Sequence, residues 1–299
     1  MATFPYSKAS SPRDIDMRDN YDVLKTEGRN PRTMDIDKLS SLEMVRLINQ
    51  ENRAVEEAID EKLPEIAAAV DMISEAIAAG GHVIYVGCGT SGRLGIVDAS
   101  ECPPTFGVDY DLFRGVIAGG NQAVFRATEN AEDSEEKGIA AIEADGAKDG
   151  DVVVGLSASG RAPFVIGALK KARERGCKTV AVTCNPGSLM EDHCDVAVSV
   201  YVGPEVISGS TRLKAGTAQK LILNMFSTCA MIKTGKVRSN LMVNVRPTNE
   251  KLVERATRII MQLSDADRET AERLLKEYGE VPAALDALEM QNAECKMQN

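Results

Sequence analysis

The chain has 299 residues, of which 43% are hydrophobic and 27% charged, a composition that excludes a disordered or fibrous chain. Its 45 acidic and 35 basic side chains give a formal net charge of −10, which argues against a nucleic-acid binder and requires a local pocket for any anionic ligand. No apolar run reaches the ~20 residues that a membrane-spanning helix needs, so no membrane association is predicted.

The cysteine and histidine content limits the chemistry further. The seven cysteines form no CxxC pair, which is typical of reduced thiols in a cytoplasm, and the N-terminus has no apolar signal core. Cys88 and Cys102 have no activating partner in their motifs and are interpreted as small buried side chains. Because His82 and His193 belong to no ligand-spaced cluster, we expect no metal site and no Ser-His-Asp triad. Acid–base work therefore falls to Asp and Glu.

The first part of the chain is predicted to be a flexible arm followed by helices. Residues 1–38 are rich in Ser, Pro, Arg and Asp and show no apolar period. Ser40 and Glu43 then form a capping box that begins helical segments running to about residue 79, divided by Pro64.

Strands and helices alternate after residue 80. This alternation predicts an α/β domain with a parallel sheet covered by helices on both faces. The predicted strands are 82–86, 112–118, 151–156, 178–183 and 196–202, and the predicted helices are 121–144, 162–175 and 214–234. Beyond about residue 244 the pattern predicts only short helices, at 248–263, 267–278 and 281–290. We therefore predict an arm over 1–38, an α/β domain over 39–246 and a small helical C-terminal domain over 247–299.

The loop after the first strand, Gly87-Cys88-Gly89-Thr90-Ser91-Gly92, matches the GxGxxG dinucleotide pattern. A dinucleotide site also needs an acidic residue after the second strand, but residues 117–120 contain no carboxylate. The loop favours a phosphate cradle instead, because Gly89 lets backbone amides approach an anion while Thr90 and Ser91 offer hydroxyl donors. A purely structural strand-to-helix turn remains the alternative.

Two further hydroxyl-rich loops follow, at 157–160 after the third strand and at 208–214 before a long helix. Loops at the carboxyl ends of parallel strands flank the crevice where α/β folds bind ligands. Taken alone, each loop fits a solvated turn equally well, but three together predict a site for one phosphate with a sugar attached. The additional predicted phosphate contacts are Ser157, Ser159, Ser210 and Lys214.

Two groups of carboxylates are candidates for acid–base chemistry. Glu101 precedes two prolines that are predicted to end a helix, and an ordinary surface glutamate at a helix terminus fits this pattern as well. Glu129, Glu132, Asp133 and Glu136 share one face of the predicted helix at 121–144. Such a face is usually solvated, although crowding can raise the pKa of one member and make it a base. Periodicity does not choose that member.

Longer segments that include these loops resemble the signature of bacterial N-acetylmuramic acid 6-phosphate etherases. The resemblance covers the chain from about residue 26 to the C-terminus, and it gives no role to the residues before that point. The segments that carry it include TEGRNP (26–31), GCGTSGRLGIVDASECPPTFG (87–107), ENAEDS (129–134), VVVGLSASGRAPFV (152–165), CNPGS (184–188), PEVISGSTRLKAGTAQK (204–220) and GKVRSNLMV (235–243).

The resemblance implies a three-layer sugar isomerase (SIS) fold with a small helical C-terminal domain. It implies a cytoplasmic lyase, in peptidoglycan amino-sugar recycling, that cleaves the D-lactyl ether of N-acetylmuramic acid 6-phosphate. The products are N-acetylglucosamine 6-phosphate and D-lactate, formed by elimination and then hydration without a cofactor. The family's proton donor falls on Glu101 and its second active-site glutamate, the base, on Glu132. SIS domains also commonly build their sites across a homodimer, so a homodimer is expected.

Two alternatives share this fold. One is a sugar-phosphate-binding regulator similar to the vertebrate glucokinase regulatory protein, although both glutamates are present and the regulator carries two such domains. The other is an aldose–ketose phosphosugar isomerase, which shares the phosphate cradle and the C2 proton abstraction but needs no acid to expel lactate.

Overall fold

A five-stranded parallel sheet forms the centre of the computed structural model, which describes residues 26–245 and 247–297, with side chains up to residue 290. The strands are β1 (Val83–Gly87), β2 (Phe113–Ile117), β3 (Val152–Ser157), β4 (Lys178–Thr183) and β5 (Val196–Ser199). Their order in the sheet, β2-β1-β3-β4-β5, confirms the predicted parallel α/β architecture. Every residue of β1 and β3 is buried, as expected for continuous Val- and Ile-rich strands covered on both faces.

Helices cover both faces of the sheet and complete the three layers. The helices up to residue 233 are α1 (Ser41–Glu51), α2 (Arg53–Asp60), α3 (Leu63–Ala78), α4 (Gly89–Phe106), α5 (Gln122–Phe125), α6 (Glu135–Asp145), α7 (Pro163–Glu174) and α8 (Lys214–Lys233). One apolar cluster joins α2, α3, α4 and α8 to one face of the sheet, and a second joins α6 and α7 to the other face. Among the described residues, no helix combines the length and apolarity needed to cross a bilayer.

A two-stranded hairpin and three helices follow α8. The hairpin pairs β6 (Val237–Arg238) with β7 (Leu241–Met242), two strands too short for the sequence pattern to predict. Beyond it lie α9 (Glu250–Leu263), α10 (Arg268–Tyr278) and α11 (Val281–Met297). A third apolar cluster, separate from those of the sheet, holds these helices together and includes Val243 and Val245. The division at residue 246 stays a prediction, and Arg246 lies outside the described residues.

The helix predicted over 121–144 is wrong in its first half. Only Gln122–Phe125 and Glu135–Asp145 are helical, and residues 126–134 form an irregular connection. Asn130 has a φ of 55°, and the Ser134 side chain caps α6 by accepting a hydrogen bond from the Lys137 amide. Asparagine tolerates the left-handed region and serine favours the N-cap, so local polar chemistry overrides the helical spacing. The acidic residues 129–133 therefore do not share a helix face with Glu136.

The helix that carries Glu101 also ends later than predicted. Pro103 and Pro104 lie inside α4, which continues to Phe106 and ends where Gly107 adopts a φ of 65°. The Gly107 amide donates to the Pro103 carbonyl, because a proline loses its donor but keeps its acceptor. Glu101 is thus in the body of a helix rather than at its terminus.

The predicted flexible arm lies outside the described residues as far as residue 25. From Thr26 onward the chain is packed instead. Thr26 is 1% exposed, and its hydroxyl accepts a hydrogen bond from Asn185 Nδ2 at 2.9 Å. Thr33 donates to the Val206 carbonyl at 2.8 Å. These contacts join residues more than 150 positions apart, so local composition could not indicate them, and they place this segment beside the carboxyl edge of the sheet.

Candidate phosphosugar site

The strand order creates a crevice between β1 and β3. The chain leaves β1 towards β2 on one side, whereas β3 and β4 extend the sheet on the other, so the loops after β1 and β3 diverge. A cavity of about 470 Å³ lies between these two loops, a volume within the range of small-ligand sites. The predicted crevice is therefore present at the carboxyl edge of the sheet.

Tight glycine packing lets α4 begin directly at this crevice. A Cβ atom on Gly92 would lie 2.7 Å from both the Gly87 carbonyl oxygen and Ile117 Cγ1, so only glycine allows the first turn of α4 to approach β1 so closely. Cys88 occupies the N-cap position, and its side chain makes no cap hydrogen bond. The first turn of an 18-residue helix thus presents its positive dipole end to the cavity.

The hydroxyl groups of two predicted loops converge on the cavity wall. Thr90, Ser91, Ser157 and Ser159 all line it. The hydroxyls of Ser157 and Ser159 lie 3.3 Å apart, and the Gly160 amide donates to Ser157 Oγ at 3.1 Å, which fixes the turn after β3. This set of hydroxyls beside a helix N-terminus is suited to the oxygens of a phosphate.

The third predicted loop contributes differently from what the sequence pattern indicated. Ser210 and Lys214 do not line the cavity, although their neighbours Gly209 and Thr211 do. Lys214 is 2% exposed, and its ammonium nitrogen lies 3.2 Å from Glu51 Oε2. The structure therefore places the Lys214 charge against α1 rather than in the cavity.

Glu132 is held at the cavity by the irregular connection before α6. Its backbone carbonyl accepts a hydrogen bond from the Phe164 amide at 3.0 Å, which ties this connection to the first turn of α7. Glu132 lines the cavity together with Asp133. Partial desolvation by the surrounding protein and, secondarily, the Asp133 charge raise the pKa of Glu132. A carboxylate with a raised pKa is a stronger base than a fully solvated one.

The thiol of Cys88, which also lines the cavity, is unreactive. Burial, followed by the charges of Glu132 and Asp133, raises the pKa of Cys88 to about 12. A thiol with that pKa holds almost no thiolate at neutral pH and is a poor nucleophile. Cys88 accordingly behaves as a small space-filling side chain at the cavity wall.

Glu101 lies away from the cavity of its own chain. It is exposed on α4 and is not among the lining residues. Because α4 begins at Gly89, Glu101 is about 18 Å further along the helix axis at 1.5 Å per residue. A glutamate side chain does not span that distance. A single chain therefore does not bring Glu101 and Glu132 together.

Comparison with known proteins assigns the chain to a family. Residues 65–173 match the family model "Glucokinase regulatory protein N-terminal SIS domain", and residues 122–228 match "SIS domain". An N-acetylmuramic acid 6-phosphate etherase of Clostridium botulinum (strain Okra / Type B1) is 55% identical, over 86% of this chain and 85% of the relative. One from Serratia proteamaculans (strain 568) is 53% identical, over 93% of this chain and 96% of the relative.

The chain belongs to the N-acetylmuramic acid 6-phosphate etherase family. The resemblance found in the sequence is thereby confirmed, as is the SIS fold. A phosphoheptose isomerase from Francisella tularensis has the same fold, with a TM-score of 0.50 and 19% identity over 65% of this chain and 100% of that chain. At this identity the likeness concerns the fold alone.

Two charged residues of this etherase-family cavity were not predicted from the sequence. Glu27 and Arg161 both line it. The Glu27 backbone carbonyl accepts a hydrogen bond from the Ser208 hydroxyl at 2.8 Å, and a Cβ atom on Gly209 would lie 2.9 Å from Glu27 Oε2. Glu27 thus reaches the cavity through contacts with a loop some 180 residues later, which no local pattern reveals. The only available signal was its position inside the TEGRNP segment.

Proposed function

We propose that this chain is an N-acetylmuramic acid 6-phosphate etherase, a lyase that releases D-lactate and leaves N-acetylglucosamine 6-phosphate. The observation that carries the proposal is the position of Glu132: a carboxylate with a raised pKa lies in the same cavity as the hydroxyl cradle. Relatives that bear this name are more than half identical over most of their length. We further propose that it acts in the cytoplasm, in the recycling of peptidoglycan sugars.

In this proposal the 6-phosphate binds at the start of α4. The backbone at Gly89 and the hydroxyls of Thr90, Ser91, Ser157 and Ser159 donate to its oxygens, and the helix dipole favours its charge. This cradle accounts for the binding of an anion by a chain with a net charge of −10. Contacts from Ser210 and Lys214 stay predictions of the sequence that the cavity geometry does not support.

Glu132 acts as the base at C2 of the open-chain sugar. The C1 aldehyde acidifies the C2 proton, and Glu132 takes that proton while the electron pair is delocalised onto the aldehyde. The C3–O bond then breaks, and its electron pair leaves with the lactate oxygen, which receives a proton from an acid. Addition of water across C2 and C3 gives the product. Base and acid must be in opposite protonation states, which different surroundings can provide.

Glu101 supplies the departing proton from a second copy of the chain. Val97 and Glu101 lie one turn apart on α4. The same helix is joined to α5, which carries Phe125, because Arg93 donates to the Ala123 and Val124 carbonyls. Val97 is 56% exposed and Phe125 88% exposed, so this α4–α5 surface offers apolar area for an interface. The proposed unit is therefore a homodimer.

The decisive experiment offers N-acetylmuramic acid 6-phosphate to the purified protein and measures free D-lactate. Release of lactate at an enzymatic rate supports the proposal. A ketose phosphate without lactate would identify an isomerase, and tight binding without turnover would identify a regulator.

Exchange of the C2 hydrogen in D₂O tests the two roles separately. Glu101→Gln should slow lactate release by about 10²–10⁴-fold yet still incorporate deuterium at C2, since the base is intact. Glu132→Gln should lose both. Glu129→Gln is the matched control, because this exposed carboxylate belongs to the same connection but does not line the cavity. The opposite exchange pattern in the two variants would reverse the assigned roles.

A further inference from the structure

The buried side-chain amide of Gln219 contacts Ser91, one of the proposed phosphate-binding residues. Gln219 of α8 is 1% exposed, and Ser91 Oγ donates to its Oε1 at 2.8 Å. Its amide nitrogen, Nε2, makes no hydrogen bond to any residue that the structure describes. An unpaired buried donor destabilises the fold, so its position directly behind a residue that lines a binding site requires an explanation.

The face of α8 that carries Gln219 packs against the first turn of α4. Gly216 precedes Gln219 by three residues and therefore shares its helix face. A Cβ atom on Gly216 would lie 3.5 Å from Thr90 Cγ2, an ordinary van der Waals distance, so this face lies directly beside Thr90. Gln219 thereby reaches Ser91 from the side away from the cavity, while Ser91 itself lines the cavity.

The direction of the Ser91 hydrogen bond conflicts with the proposed role of Ser91. A hydroxyl has a single proton, and in the structure that proton is directed to Gln219 rather than to the cavity. Ser91 could then only accept, whereas a phosphate oxygen needs a donor. The conflict is removed if the amide of Gln219 turns by 180°, because Nε2 then occupies the position of Oε1 and donates to Ser91 Oγ over the same distance.

We propose that Gln219 is a positioning residue that switches Ser91 from donating into the protein to donating to the phosphate. When the anion binds, the amide turns, its nitrogen donates to Ser91 and the Ser91 proton is released to a phosphate oxygen. The amide oxygen then takes the place of the unpaired nitrogen, and an unpaired acceptor is tolerated more readily than an unpaired donor. This inference rests on the proposed function in one respect only, that Ser91 holds the phosphate.

The test measures binding of N-acetylglucosamine 6-phosphate by calorimetry to a set of variants. Gln219→Met keeps the size but has no donor and should weaken binding about tenfold, as should Ser91→Ala. Gln219→Glu as a carboxylate can only accept, so it should weaken binding at least as much. In the Ser91→Ala background, Gln219→Met should have no further effect, because the residue acts through Ser91.

Controls separate this role from simple damage to α8. Ser227→Ala removes another buried polar group of α8, which donates to Asp98 at 3.1 Å away from the cavity, and should leave affinity unchanged. Binding of unphosphorylated N-acetylglucosamine should not respond to Gln219→Met. The inference would be overturned if Gln219→Met lowered the affinity for the sugar phosphate equally in the wild-type and Ser91→Ala backgrounds. It would also be overturned if Gln219→Met alone kept full affinity. Absence of lactate release would instead refute the proposed function and leave these binding results interpretable.

Discussion

At the scale of single residues, the surroundings of Glu132 affect the pH at which the base becomes active. Desolvation raises the pKa of Glu132 most, and the charge of the adjacent Asp133 raises it further. Asp133→Asn removes that charge, so the pKa of Glu132 should fall. The acid limb of kcat/KM for lactate release should then move to lower pH, measured from pH 4 to pH 8.

Glu136→Gln is the control for this shift. Glu136 is exposed on α6 and does not line the cavity, so its loss should leave the acid limb in place. The phosphate of the substrate also titrates near pH 6 but does so equally for every variant. If Asp133→Asn moved the limb to higher pH, Glu132 would not be the group that the limb reports.

The sequence predicted the cradle residues better than it predicted the carboxylates. Ser157 and Ser159 follow a buried strand directly, so a local pattern places them at the carboxyl edge of the sheet. Glu132 was identified as a member of an acidic helix face, but hydrogen bonding by Ser134 and the left-handed Asn130 replace that helix by an irregular connection. Glu27 was missed because only long-range contacts bring it to the cavity.

At the scale of elements, the buried Lys214–Glu51 pair joins three segments of the chain. Lys214 begins α8, Glu51 ends α1, and Asn30 Nδ2 donates to Glu51 Oε2 at 2.6 Å. Glu205 caps the same end of α8 by accepting from the Lys214 and Ala215 amides. The segment with Glu27 is thereby connected to the helix that follows the third polar loop.

Lys214→Met should lower the free energy of unfolding by about 1.5–3 kcal/mol, because it removes one charged partner of the buried Glu51 carboxylate while Asn30 and Arg32 remain. Urea denaturation at neutral pH measures this change. The control is Lys233→Met, which removes an exposed partner of Asp71 at the other end of α8 and should cost at most ~1 kcal/mol. An equal cost in both variants would show that the buried pair does not stabilise the fold.

The cost of Lys214→Met should also depend on pH. Burial opposes ionisation of Glu51, but hydrogen bonds from Asn30 and Lys214 outweigh it, and the pKa of Glu51 falls below its ordinary value of 4.5. A carboxyl with a lowered pKa stabilises the fold above its unfolded pKa and loses that contribution in acid. The difference between variant and wild type should therefore narrow as the pH falls below 4.5.

Helices and strands were predicted well where the apolar residues follow a single period along the sequence. The strands β1 and β3 agree with the apolar pattern because every residue in them is buried. The helices α7 and α8 agree with it because each buries a wide apolar face. The pattern failed in α4, where two prolines follow Glu101 without ending the helix. Proline ends a helix only if the preceding backbone cannot adapt, a property that sequence spacing does not contain.

At the scale of the whole molecule, the proposed homodimer makes each site depend on two chains. Glu101→Gln and Glu132→Gln should each be almost inactive alone. When the two variants are mixed and allowed to exchange subunits, half of the dimers combine them. Each mixed dimer then contains one site with both glutamates intact, so about a quarter of wild-type turnover should return.

Recovery of activity occurs only if the two glutamates of one site belong to different chains. A site built within one chain would be defective in every combination, and mixing would restore nothing. Wild-type protein mixed with the double variant Glu101→Gln/Glu132→Gln provides the matched control for subunit exchange. No recovery despite demonstrated exchange would exclude the proposed supply of Glu101 by a second copy.

The fold class could be predicted from the alternation of strands and helices, whereas the separation of the two glutamates could not. Both residues lie in segments that resemble etherase signatures, but spacing in sequence says nothing of their distance in space. That distance follows from the direction of α4, which begins at the cavity and carries Glu101 away from it.

The charge of the cavity wall has a consequence for how fast a ligand arrives. Glu27, Glu132 and Asp133 face one cation, Arg161, among the described lining residues, and the whole chain carries −10. An anionic sugar phosphate therefore diffuses towards a repelling field and is attracted only within the cavity, by the hydroxyl donors, the start of α4 and Arg161. Added salt screens that repulsion over about 10 Å at 0.1 M. An association rate constant that falls with KCl concentration would reveal an attractive field. We expect the rate constant measured by stopped flow to rise instead, so that the enzyme encounters its substrate fastest where ions are abundant.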